Sequence, residues 1–131
     1  MRISSLYVGI SLILIVVLSF RVVLRRWKVR VGLGDGGDME LRQRIRAHGN
    51  AVEYLPMGLL ALLMLEIGGA GPMVLHGCGG TFIFARVVHA IGLSRKSGVS
   101  VGREIGMPLT WLAFLAMAWL LLSRYLHGPG A

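Results

Sequence analysis

The chain has a single cysteine, Cys78, so no intrachain disulfide can form, and neither a CxxC pair nor a Cys/His spacing that would hold a metal is present. Cys78 stands between Gly77 and Gly79 in an apolar run, where a small packing residue is the simplest role. Acid is scarce, with 6 Asp and Glu against 14 Lys and Arg. The first apolar stretch has no acid at all, which argues against a small four-helix transporter of the kind that carries a carboxylate in its first helix. Internal repeats and low-complexity tails are also missing, leaving one domain over residues 1–131.

What the chain has in excess is apolar sequence. At 131 residues, 55% of them hydrophobic, and a mean hydropathy of +0.71, it is too apolar for a soluble domain of this size. A bilayer core about 30 Å thick takes roughly 20 apolar residues per helix. Four stretches qualify, from about Ser5 to Leu24, Ala47 to Gly68, Pro72 to Gly92 and Val101 to Leu126. The first is too long for a secretory signal and ends in a cationic cluster, so it is read as a retained helix. The expected fold is all-α, an integral membrane bundle of four helices.

A pI near 11.1 would suggest nucleic acid in a soluble protein, but the charges alternate along the chain. Arg25, Arg26, Lys28, Arg30, Arg42, Arg44 and Arg46 crowd the first connection, and Arg95, Lys96 and Arg103 the third. The second connection has no positive charge, and Arg2, His76, Arg124 and His127 fall on its side. This is the positive-inside pattern, with the basic loops cytoplasmic and both termini opposite; no nucleic-acid partner is expected.

The first connection, "VGLGDGGDMELRQ", reads as a loop that ends at Asp38, the expected N-cap of a second helix beginning two turns before the membrane. Pro56 favours a kink within that helix. The short second connection demands a tight hairpin. Gly98, Gly102 and Gly106 recur every four residues and let a neighbouring helix come close.

The second helix carries the candidate site. Arg46, Asn50, Glu53 and Met57 share one side of it, with Tyr54 beside Asn50. Glu53 lies roughly 9 Å beyond the start of the apolar run. An ionised carboxylate at that depth costs at least about 2.5 kcal/mol in lipid, so it faces the protein interior, a partner subunit or a wet cavity. Two uses compete: an Arg46–Glu53 ion pair with Asn50 that fixes packing, or a polar pocket for a ligand anionic overall with one cationic group. Arg86 and His89, three residues apart in the third stretch, share a face; Arg86 calls for a carboxylate, with Glu53 and Glu104 in reach, and His89 for an interfacial hydrogen bond.

"RIRAHGNAVEYLP" followed by "FARVVHAIG" resembles the MAPEG family, the membrane-associated proteins of eicosanoid and glutathione metabolism, in its small bacterial branch. The spacing R-A-x-x-N-x-x-E-[YN]-x-P is the most specific feature, and "ARVVH" is an independent match. The resemblance implies a left-handed four-helix bundle assembled as a homotrimer, placed in the bacterial inner membrane, with glutathione bound as co-substrate between subunits near the cytoplasmic face. It matches Arg46, Asn50, Glu53 and Tyr54 to glutathione-contacting positions and Arg25 or Arg26 to an arginine holding a glutathione carboxylate. His48 and His89 fall where the family carries His or Gln, and His or Tyr. Leu93 stands where a ligand tyrosine is frequent, and Arg103 matches the thiol-activating arginine after a one-residue shift, an ungapped count from Arg86 reaching Gly102.

The implied ligand suits these residues. Glutathione has two carboxylates for arginines, an ammonium for Glu53 and a peptide group for Asn50. Its thiol, with an ordinary pKa of about 8.5, needs a cation such as Arg103 to become a thiolate. The expected activity is a glutathione transferase or peroxidase acting on an apolar electrophile that arrives from lipid. A non-catalytic trimeric binding or scaffold protein is the competing reading.

Overall fold

The computed structural model describes residues 2–95 and 100–128, with Gly98 and Lys96 outside that range. Four helices follow one another: α1 (Ile3–Val29), α2 (Met39–Ile67), α3 (Pro72–Arg95) and α4 (Val101–His127). All four are long and apolar enough to cross a membrane. Three contain their expected spans, and α2 stops at Ile67, one residue short of its own; the helices extend chiefly at the basic ends, where charged turns continue them.

The α2 and α3 helices form the centre of the bundle, with α1 packed on both; α4 lies mainly against α3 and, among the described residues, its backbone does not approach α1. The inner face of α2 is read directly from its period: Leu41, Ala47, Ala51, Leu55, Gly58, Leu62 and Leu65 are all buried. Helices in lipid gain little from hiding apolar surface from one another, so close packing has to hold them. Glycines supply it. A Cβ on Gly106 would lie 2.6 Å from Cβ of His89, and one on Gly92 would lie 2.8 Å from Cα of Gly102. Gly102 and Gly106 thus line the α3–α4 seam as their spacing predicts, and Gly92 is the partner that the spacing did not reveal. Gly58 makes the same allowance for the ring of Phe82 between α2 and α3.

Asp38 caps α2 as expected, accepting from the Leu41 N–H at 2.6 Å. The helix runs on through Pro56 without a break. Gly69, at φ +79°, makes the tight turn into α3. At that end of the bundle Arg124 donates to the Gly68 carbonyl, tying α4 to the hairpin. The start of α1 is capped from another helix: the Glu66 carboxylate, at the far end of α2, accepts from the backbone N–H groups of Ile3 and Ser4 and from the Ser4 hydroxyl. Tyr7 beside it donates to the His76 carbonyl at 3.2 Å and shares a 2.9 Å hydrogen bond with His76 Nδ1, joining α1 to α3. Cys78 packs against the core as a small residue, half-buried.

Candidate functional site

The polar centre of the bundle is Arg86. Its position on α3 carries it into the middle of the fold, where it is 0% exposed and His89, one turn on, is 4% exposed. The Arg86 guanidinium donates to the side-chain carbonyl of Asn50 on α2, to the Thr110 hydroxyl on α4 at 3.3 Å and to the Met107 sulfur at 3.8 Å. It also lies 3.3 Å from His89 Nδ1. A guanidinium can only donate, so Nδ1 accepts and the ring proton sits on Nε2. The Tyr54 ring covers the guanidinium carbon at 4.9 Å. Tyr54 in turn stacks on Phe114, and Phe114 on Phe82, with centroids 6.0 and 5.4 Å apart.

The sequence led us to expect a carboxylate partner for Arg86. Among the described residues no carboxylate pairs with it; neutral acceptors and a ring face hold the charge instead. The reason is geometric, since Glu53 and Glu104 are exposed on the outside of their helices. Arg86 Nε is buried and has no hydrogen-bond partner among the described residues, so the cluster is rich in donor and short of acceptor. His89 is likewise a core residue rather than an interfacial one.

The stripe on α2 divides in the same way. Asn50 turns inward, half-buried, while Arg46, Glu53 and Met57 are exposed. Steps of four and three residues rotate Asn50 by about 40° and 60° from Arg46 and Glu53, enough to carry it across the edge of the buried face. Arg46 and Glu53, seven residues apart, remain on one line about 10 Å long. No ion pair joins them among the described residues, so the packing use of this pair is not realised within the chain. His48, partly buried, lies nearly opposite Asn50 around the helix, away from Arg86.

Arg25 and Arg26 serve the first connection. Arg25 grips Asp38 with two hydrogen bonds of 3.0 and 2.8 Å and Glu40 at 2.8 Å. Arg26 donates to the carbonyls of Val31 and Gly34 at 3.4 and 2.9 Å. Arg103 is partly buried in the first turn of α4, its backbone N–H packed against Gly92, one turn from His89. Leu93 packs against the core. Beyond Glu53, an apolar groove of about 370 Å³ runs between α2 and α4, lined by Met57, Ala61, Phe114, Met117 and Leu121. Phe114 links this groove to Tyr54.

Thr110, Met107 and Phe114 were not among the sequence candidates. Thr110 was within reach of the same reasoning, because it follows Gly106 by one turn and so faces α3. The aromatic stack carried no comparable signal.

A bundle of four membrane-length helices with a polar knot at its centre is, by class, a multi-pass integral membrane protein. The chain matches the MAPEG family over residues 4–123 and belongs to it. It is 40% identical over 115 residues to the inner membrane protein YecN of Escherichia coli strain K12, covering 88% of this chain and 86% of the relative. The protein of that name in E. coli O6:H1 strain CFT073 matches equally well, at 40% over the same length.

Proposed function

We propose that the protein is an inner-membrane glutathione-dependent transferase or peroxidase whose ligand lies on the outer face of α2, against a second copy of the chain. The observation that carries this reading is the exposed pair of Arg46 and Glu53 on a helix whose same face continues as Met57, Leu60 and Met64. A carboxylate in that setting has to be covered or hydrated. Glutathione fits the pair chemically: its ammonium meets Glu53, a carboxylate meets Arg46, and its peptide group lies beside Asn50 and Tyr54. Arg25 is already held by two carboxylates, and Arg26 lines a groove formed by α1 and the first connection, with no residue of α2, so we leave both out of the ligand set.

Arg86 then acts at one remove. Held by Asn50, Thr110 and His89, it orients Asn50 and Tyr54 and lends the site a positive potential, its direct partners among the described residues being neutral. Arg103, on the same side of the bundle, is assigned to the sulfur: a cation there favours the thiolate over the thiol. The thiolate bonds to an electrophilic carbon as the leaving group departs with its electron pair, or attacks a hydroperoxide oxygen, breaking the O–O bond to release the alcohol and a glutathione sulfenic acid that a second glutathione converts to disulfide and water. The apolar substrate arrives through the α2–α4 groove. The trimeric assembly and cytoplasmic orientation of the basic loops belong to this proposal, supported by the uncovered α2 face and the crowding of basic residues at one end of the bundle.

Titration of the detergent-solubilised protein with glutathione, following binding heat and thiolate ultraviolet absorbance, tests it. Glu53→Gln and Arg46→Gln each weaken binding by about 10- to 100-fold, the range of a charge-assisted hydrogen bond. Arg103→Ala spares binding and removes the thiolate absorbance. Absence of saturable binding overturns the proposal. Binding without thiolate identifies the non-catalytic reading, which Leu93 in the tyrosine position favours.

A further inference from the structure

The basic end of the bundle holds more positive charge than its own acids can use. From Arg25 to Arg46 the chain has seven Lys and Arg residues and three acids, Asp35, Asp38 and Glu40. All three acids are taken: Asp38 by Arg25, Asp35 by Arg42, and Glu40 by Arg25 and Arg44. Among the described residues this leaves Arg26, Lys28, Arg30 and Arg46 without a carboxylate. Arg46 belongs to the α2 stripe. Arg26 and Arg30 are one helical turn apart on α1 and line a single groove of about 490 Å³ with Val23, Trp27, Val31 and Gly32.

The groove is graded along the axis of α1, from apolar to basic. Val23 lies at the end of the apolar length of α1, Trp27 follows one turn later at 71% exposed, and the two arginines stand at the rim. Arg30 ends α1 in the left-handed conformation at φ 55°, its N–H returning to the Arg26 carbonyl, while Arg26 Nη1 is pinned by loop carbonyls. The rim is therefore set by backbone contacts, and the guanidinium forks keep donors to spare. Just beyond, Leu33 is 92% exposed. Indole rings favour the headgroup level, and basic pockets at a helix end attract anionic headgroups.

We propose that this groove binds an anionic phospholipid from the adjoining leaflet, its phosphate between Arg26 and Arg30, its glycerol beside Trp27 and one acyl chain against Val23. A free phosphate ion would satisfy the arginines and leave Trp27 and Val23 bare. A zwitterionic lipid would return an ammonium to a rim already in positive excess. The inference stands apart from the glutathione reading, since none of these residues belongs to that ligand set.

The test is native mass spectrometry of the full chain in detergent, titrated with phosphatidylglycerol or phosphatidylcholine, with a parallel arm containing inorganic phosphate. Phosphatidylglycerol is expected to bind in preference, and Arg26→Gln with Arg30→Gln to weaken it roughly thirtyfold, at the usual worth of a basic residue near an anionic surface. Arg30→Gln alone, which leaves the loop contacts of Arg26 intact, weakens it about fivefold. Lys28→Gln, the same charge change outside the groove, has less effect than Arg30→Gln. Equal binding of the two lipids, equal losses in Lys28→Gln and Arg30→Gln, or displacement of the lipid by inorganic phosphate would each overturn the proposal.

Discussion

Arg25 and Arg86 show how differently one residue type is treated at the edge and in the middle of the same bundle. Arg25 stands where water can reach it and yet has two carboxylates. Arg86 is fully buried and has, among the described residues, only neutral acceptors and a tyrosine face. Energetic need would assign the acids the other way round, because burying an unpaired charge is the costlier act. The difference separates two tasks. The outer pairs order a glycine-rich connection and fix where α2 begins. The inner arginine is left short of negative charge beside the α2 face proposed to bind an anion.

Removing the inner arginine gives the largest effect. Arg86→Ala is expected to cost about 3 kcal/mol in thermal unfolding in detergent, as Asn50, Thr110 and His89 lose a partner and a cavity opens. Arg86→Met, which fills the space without a charge, should recover most of that stability and still lower glutathione affinity. If Met and Ala are equally unstable, the charge itself is structural and the contrast with Arg25 fails.

Next in size is Gly106→Val, which drives a branched side chain into His89 and parts α3 from α4 at an expected cost of about 2 kcal/mol. The same melting experiment reads it. A melting temperature equal to wild type would mean that the seam is looser than its geometry.

At the outer arginine the effects are smaller and depend on pH. The Arg25 guanidinium, helped by the Leu41 N–H, holds the Asp38 carboxyl at about 2, below its ordinary 3.8. A depressed carboxyl adds stability that is complete above the unfolded value and disappears as pH falls through the folded one. Protection of the α1–α2 connection from an acid-active protease is therefore expected to decline between about pH 4 and pH 2. Arg25→Gln should move the onset of cleavage upward, toward pH 4, with little change at pH 7. An unchanged profile would show that the connection is ordered by Arg26 and Arg42 without Arg25.

The helices were legible because each is a long apolar run with charged ends, and Asp38 was legible because capping is local in sequence. The α2 stripe was only partly so. Arg46, Asn50, Glu53 and Met57 share a side in projection, but the line between buried and exposed falls within that side and depends on where α3 sits. The neutral partners of Arg86 lay further from view, since three helices bring them together and only the glycine seam points at Thr110. Glu66 appears in the sequence as an acid at the end of an apolar run, with nothing nearby to show that it serves the first turn of α1.

That distant cap bears on how the protein is made. The hydrogen bonds that finish the start of the first helix wait for a carboxylate more than sixty residues later in the chain, at the far end of the second span. The first turn of α1 gains this cap only when the far end of α2 lies beside it. The two helices thus mature as a pair, and a chain halted before Glu66 would expose the open backbone end of α1 to whatever holds it during insertion.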